Sequence, residues 1–530
     1  MAVRIIPKFK SLKDGKNAQF LSYMEKFVLP ECQKGNIRFF DDAQRVFTDL
    51  SDKQLQIDIA TANEKLLRDI SVKKLVWLSE NFRFWKDEYY ACDHDKRCID
   101  RKKLIHLTDS QYLATLKLGT FASNGYYRQQ CMEQLRDAEG SLPFLILRMN
   151  DWVAPIREKA YDLSRERMQG CGLYEFFQSL PMLEKVKNAK RRSDAQICSL
   201  EIQAENLIRH KFQSLLHETL NEIPKYEIQI KNAVYRFIKK NPVLDRAQTE
   251  HLLALERTGY GQMLLILAIF CHYHYDDRLA GKYLCSKSAV VRYHTLVYRY
   301  EQKHDAWPGL QAMLLDPSRR IRDYAAYILE KRTNMDIRAF YLQELERNPS
   351  KFVLSGVGEH GLKSDAALLE PYVMDERVHI CKTALAAYGK LSESDGKETY
   401  WRFLFDPRPA IARQAYRCVQ KYRIQYGAKI LYEAYIQNRS GFMADYFLRL
   451  LLNEPSWTRL PYLLMLYRDG NLTEKQCLDI TAGVCERHMY GSVSEQEAAL
   501  IRSLLEQNSD KLPEHIRKNI LFDLKCIERG

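Results

Sequence analysis

One short pattern constrains this chain more than anything else in it. Asp316, four residues, Ile321-Arg322, two residues, Ala325: the arrangement returns along the 530-residue sequence at a nearly constant interval. A fixed interval of this kind signals supersecondary units that cannot bury their apolar faces alone and must stack on their neighbours. Within one unit, Leu314 and Leu315 end a helix. Asp316-Pro317 then makes a turn, where proline needs no amide donor. A second helix follows, with Ile321, Ala325 and Ile328 on one face at i, i+4, i+7 spacing.

The arginine position marks the units. It is loose at Tyr127-Arg128, with Cys131 and Leu135, and sharp at Asp151, Ile156-Arg157, Ala160 and Leu163. From Cys171 to Thr258 the pattern is lost. It resumes at Gln262 and continues at Arg292, Arg322, Ser350, Cys381, Ala412 and Met443, in steps of 30, 30, 28, 31, 31 and 31 residues. Asp316, Asp375 and Asp406 each stand six residues before their slot. Val357-Gly358 and Tyr388-Gly389 are expected to end second helices as glycine C-caps.

These units resemble HEAT repeats, in particular the short kind first noted in phycobilisome lyases. The resemblance is carried by Asp316, Ile321, Arg322 and Ala325, by Asp151, Ile156, Arg157 and Ala160, and by Leu369, Asp375, Ile380, Ala384 and Gly389. It covers residues 120–168 and 260–450. It implies an all-α fold: a right-handed α-solenoid of HEAT-like helix pairs with diverged helical N- and C-terminal regions. In HEAT-like units the arginine commonly pairs with the turn aspartate of its own or an adjacent unit. Asp151, Arg157, Arg292, Asp316, Arg322, Asp375 and Asp406 are therefore expected to form a structural ladder. Cys381 and Ala412 depart from the pattern, and Arg413 lies one position on.

Five segments follow. Residues 1–118 form a helical N-terminal region, either a cap or diverged repeats, with an apolar stripe from Val72 to Trp85. Residues 119–170 are HEAT-like repeats. Residues 171–258 are a helical insertion or diverged repeats, with a long amphipathic helix from Ala195 to Leu220. Residues 259–467 are HEAT-like repeats again. Residues 468–530 form a helical C-terminal cap, with helices expected over Thr473–Arg487, Glu495–Asn508 and Pro513–Ile527.

Composition supports a packed protein: 46% apolar and 28% charged residues are a core-forming balance. The net charge of +13 permits a nucleic acid or an acidic protein partner, although it is spread over 62.4 kDa. The 32 tyrosines suit packing between helices with the hydroxyl at the rim; the alternative is a Tyr-rich binding face. Thirteen cysteines form no Cys-x-x-Cys pair. No signal peptide is evident, and the run Met263–Cys271 is too short to span a bilayer. The expected location is cytoplasmic, with reduced thiols and no membrane contact.

Four stretches could carry chemistry. Gly356-Val357-Gly358-Glu359-His360-Gly361 matches a dinucleotide fingerprint, but that motif works only between a strand and a helix, and no strand pattern surrounds it. Cys92, His94, Cys98 and His106 do not have the paired spacing of structural zinc sites. Cys271, His272, His274, Asp276 and Asp277 sit where a helix end and a turn are expected. Lys185, Lys187, Lys190, Arg191 and Arg192 could meet phosphates or form a solvated helix end. No nucleophile elbow, Walker loop or His-Glu-x-x-His pair occurs. Neither cofactor nor metal is expected.

The sequence therefore points to a non-enzymatic scaffold that binds a protein or peptide partner along a concave face. Helical offset places Tyr293, Tyr327, Lys382, Arg413 and Arg417 on that face. A nucleic-acid-binding solenoid, of the kind that repairs DNA, is the alternative. A chromophore lyase rests on the family resemblance alone.

Overall fold

The computed structural model describes residues 17–68, 70–81, 97–189, 193–213, 217–470, 492–510 and 512–528. All regular structure among them is helical. The chain forms two compact units, Met1–His304 and Asp305–Gly530. The division falls inside the run of units expected over 259–467.

In both units, helices pack on the element two places along as well as on the next one. In the first, Leu142–Arg148 packs on Leu173–Lys187, which packs on Ile228–Lys240, then on Gly259–His272, then on Ala289–Lys303. In the second, Lys351–His360 packs on Val378–Ser392, which packs on Pro409–Lys421, then on Ala444–Leu452. The apolar positions read from the pattern are the ones that fill these contacts. Ile321, Ala325 and Ile328 are buried, as are Ile156, Ala160 and Leu163, Ile380 and Ala384, and Ile411 and Ala415.

The arginine slot has a fixed local address. Arg128, Arg157, Gln262, Arg292, Arg322, Cys381 and Ala412 are each the fourth residue of a helix: Gly125–Gln134, Ala154–Gly170, Gly259–His272, Ala289–Lys303, Arg319–Thr333, Val378–Ser392 and Pro409–Lys421. Ser350 and Met443 instead precede their helices, Lys351–His360 and Ala444–Leu452, as N-cap residues. Two further helices have the same address filled. Lys231 is fourth in Ile228–Lys240, and Arg459 is fourth in Ser456–Asp469.

The address matters because of what the side chain reaches. A guanidinium nitrogen of Arg322 donates to the carbonyl of Asp316, six residues back, at 2.7 Å. Arg128 reaches Ala122 at 2.8 Å, Arg157 reaches Asp151 at 2.8 Å, and Arg292 reaches Ser286 at 2.7 Å. Gln262 does the same to Glu256 at 2.8 Å with an uncharged amide. These carbonyls belong to the turn that closes the preceding helix, where chain groups lack intrahelical partners. Arg459 performs the same service on Leu452 and Glu454, both within 2.9 Å. At Cys381 the slot holds no cation, and the thiol turns to the Val373 carbonyl at 3.0 Å. Arg408, from the next turn, fills the vacancy by donating to Asp375 and Glu376 at 3.1 and 3.0 Å.

Tyrosines tie the helices at the same interval. The hydroxyls of Tyr273 and Tyr298 donate to the carbonyls of Leu244 and Phe270 in the first unit. Tyr341, Tyr372 and Tyr426 donate to Leu314, Leu345 and Lys397 in the second, at separations of 27, 27 and 29 residues. These five tyrosines pack between helices with a hydroxyl on a neighbour's backbone.

The glycine C-caps are a correction. Gly358 and Gly389 lie inside helices that run on to His360 and Ser392. Gly358 is required for close approach: a Cβ there would stand 2.6 Å from the Cα of Ala387 on the adjoining helix. Apolar spacing cannot distinguish a helix stop from a helix contact when both want glycine.

Two arginines with the same local partner separate the turn from the rung. Arg377 and Arg408 each fork onto the aspartate two residues before, but only Arg408 also reaches the preceding turn. Arg408→Ala should lower the urea midpoint clearly and Arg377→Ala hardly at all; equal effects would mean that the carbonyl contacts of Arg408 contribute nothing.

Candidate functional site

Turn aspartates prime the slot helices. The carboxylates of Asp151, Asp316, Asp375 and Asp406 accept the amide of the residue two places on, at 3.1, 2.7, 2.8 and 2.8 Å. Asp151 also carries an arginine pair of the expected kind, from the neighbouring unit: Arg128 at 3.1 Å, with Arg148 at 3.3 Å. Arg157 and Arg322 bond instead to the backbone oxygen of their own turn aspartate. Arg377 forks onto Asp375 and holds its carboxyl down to about 2. These residues build the turns.

The fork of Arg322 has a second partner. Its Nε and Nη2 grip Glu359 at 3.0 and 2.7 Å, 37 residues on. Lys390 stands 3.4 Å from the same carboxylate and Arg319 at 3.7 Å. Burial would raise Glu359, but the hydrogen bond and charge of Arg322, with Lys390, outweigh it and hold its pKa below the ordinary range. Asp323, Glu359 and His360 lie within ligand distance of one another. Three cations around Glu359 already neutralise it, so the chemistry of this donor set opposes a divalent ion. His360 stacks on Tyr341 with ring centroids 5.6 Å apart.

The same glycines answer the dinucleotide fingerprint. A Cβ at Gly356 would stand 2.0 Å from the Tyr341 ring, so this spacing serves helix contact rather than a pyrophosphate. The cluster at 271–277 also resolves into helix ends. His272 bonds the Ile238 carbonyl, Asp276 caps Asp277–Leu284 and pairs with Arg246, and Asp277 meets Lys303. Cys92 and His94 lie outside the described residues, as do Phe82 and Trp85, Lys190, Arg191 and Arg192, and the helix expected over 473–487. Lys185 pairs with Glu80, and Lys187 with Glu201 at 2.8 Å. A cleft in the first unit lies beside Pro181, a proline inside a helix, with a volume near 380 Å³; Val72, Val76 and Ile228 make its lining mainly apolar.

The structure brings together part of the expected binding face. Arg413 and Arg417 are exposed, four residues apart on Pro409–Lys421. Lys382 is exposed at the register position of Arg413 on Val378–Ser392, the helix packed beside it. Two residues that the sequence reading missed complete the group. Tyr446 accepts from Nε of Arg413 at 3.3 Å and stacks on Tyr416 at 4.8 Å. Arg449 is exposed one turn further on, and Tyr416 accepts from Gln420 of its own helix. Burial raises Tyr416 above the usual phenol value. Tyr327 is 45% exposed on Arg319–Thr333, under the ammonium of Lys331. Tyr293 is half-buried in the first unit, beside His294. Tyr446 stands one repeat step of 31 beyond the buried Ala415, so its register marks a core position and gave no sign of a surface role.

Lys231 was missed for a different reason. Ile230-Lys231-x-x-Val234 is the same pattern with lysine for arginine, inside the stretch read as lost. Its ammonium meets the buried Glu256 at 3.0 Å, where Tyr235 and Thr258 also donate.

Comparison with known proteins finds no family model that matches this chain and no curated protein similar to it. Among the described residues, no helix is long and apolar enough to cross a membrane.

Arg322→Ala should destabilise the protein by about 3 kcal/mol, because it strands a buried carboxylate and uncaps a turn. Urea denaturation measures this, and a loss of partner binding with no change in stability would overturn the structural role. The depressed Glu359 adds a pH signature. Its stabilising effect is complete above the ordinary glutamate value of 4.5 and fades as pH falls through the lower folded value. The stability gap between wild type and Glu359→Gln should therefore be widest near neutrality and close below that value.

Proposed function

We propose that the protein is a non-enzymatic scaffold whose units are runs of HEAT-like helix pairs, right-handed in their winding, and that it binds a protein or peptide partner along the outward face of the slot helices. Arg128, Arg157, Gln262, Arg292 and Arg322 at the slot are spent on turn carbonyls and Tyr341 on the backbone of a neighbouring element, which supports a stacking role for the pattern. Among what is left outward, Lys382 and Arg413 share one register position, 31 residues apart. Lys382, Arg413, Arg417, Tyr446 and Arg449 on successive packed helices are the observation that carries the reading. A cytoplasmic location, with reduced thiols, belongs to the same proposal.

A nucleic-acid partner is the second reading, favoured by the net charge of +13. Against it, Asp445 is exposed on the helix that carries Arg449, and Asp323 and Glu330 are exposed on Arg319–Thr333. A tagged pull-down from native lysate at physiological salt, with and without nuclease, separates the two. Discrete proteins should survive nuclease treatment. If the bound material disappears with nuclease and binding falls steeply with salt, the partner is nucleic acid.

A further inference from the structure

We propose that Arg413, Arg417 and Arg449, with Tyr416 and Tyr446, form a docking site for an acidic peptide segment held through its Asp and Glu carboxylates. This deepens the scaffold reading and rests on it.

The site is built across two packed helices. Arg413 and Arg417 project from Pro409–Lys421 at i, i+4, and Arg449 projects from Ala444–Leu452. Between them the rings of Tyr416 and Tyr446 stack at 4.8 Å with 18° between their planes. The stack is tethered on both helices. Arg413 donates to the Tyr446 hydroxyl, and Tyr416 accepts from Gln420. Tyr416 is only 7% exposed, so the platform is anchored in the helix packing. The Arg413 guanidinium is thus held by a rigid aromatic pair before any ligand arrives, which lowers the ordering cost of binding.

The chemistry of the occupant follows from charge and shape. A guanidinium fork matches a carboxylate in two-point geometry, and Arg413 keeps further N–H groups beyond its tyrosine contact. Asp445 is the acidic residue within this stretch, against three arginines, with Lys382 and Lys421 exposed at its margin. Phe442 is 41% exposed and meets Tyr446 edge-on, which offers contact to an apolar side chain beside the acids. Packed helices stand about 8–10 Å apart. An extended chain advances about 3.3 Å per residue, so carboxylates three residues apart span from one helix to the next.

Fluorescence anisotropy with the full chain tests this. The probe is a labelled short peptide alternating Glu with Ala around one Phe, beside its Gln counterpart and a thymidine oligonucleotide of equal charge. The Glu peptide should bind and the Gln peptide should not. Arg413→Glu with Arg417→Glu should weaken it about tenfold or more. Lys102→Glu with Lys103→Glu, the same charge change at exposed residues of the first unit, should change it less than about twofold. Arg449→Gln, a milder variant, should cost about threefold and guards against misfolding of the double variant. Absence of binding to the wild type, equal loss in both double variants, or tighter binding of the oligonucleotide through Arg413 and Arg417 would each overturn the proposal. Lysate capture keeps the two readings apart. Nuclease-resistant partners retained by the Arg413→Glu, Arg417→Glu variant would refute this site and leave the scaffold standing; none captured by the wild type would refute the scaffold itself.

Discussion

The turn before each slot helix leaves backbone carbonyls facing a packed interior, and everything else in the two units depends on satisfying them. A buried carbonyl without a partner costs as much as a lost hydrogen bond. A long donor at the fourth helical residue reaches back six residues to the turn, as Arg322 does to Asp316 and Arg157 to Asp151. The requirement is for a donor and not for a charge, since Gln262 meets it with an amide. Nor must the donor come from the same helix. Arg408 serves the turn at Asp375 after Cys381 has left it uncapped.

Once the turns are closed, the helices have little choice about how they stack. The apolar positions three and four residues around from the slot face the next helix, and glycine allows contact where backbones come closest, as at Gly358. Tyrosine hydroxyls then bond across to the backbone of the element one period earlier. Arg322 adds a further link through Glu359, a buried carboxylate with three cations around it. Such a pair is a requirement of register more than a source of net stability, because desolvation offsets much of its attraction.

The same division explains where binding can occur. Side chains used for closure are buried and have their bonds made, so they are poor ligands for a partner. The residues one and five places beyond the slot, Arg413 and Arg417 among them, are turned outward by helical geometry. Their neighbours decide whether they act together. Here the Tyr416–Tyr446 stack from two helices holds Arg413, with Arg417 and Arg449 exposed on the same two helices.

By itself the sequence determined the helical class, the apolar faces and the slot. These are local properties: period, turn residues and helical offset fix which side of each helix is apolar, and Ile321, Ala325 and Ile328 are buried as their spacing implies. It also placed Arg413 and Arg417 outward for the same reason. Only the tertiary structure decided which partner each polar group takes. Whether Arg322 would bond a carboxylate or a carbonyl, whether Gly358 would end a helix or admit one, and how Arg408 would replace a missing neighbour depend on groups 30 or so residues away. Lys231 and Arg459 show the limit clearly. Both occupy the slot address, Lys231 with the pattern kept but lysine for arginine, and the helix start and the carbonyls within reach reveal the role.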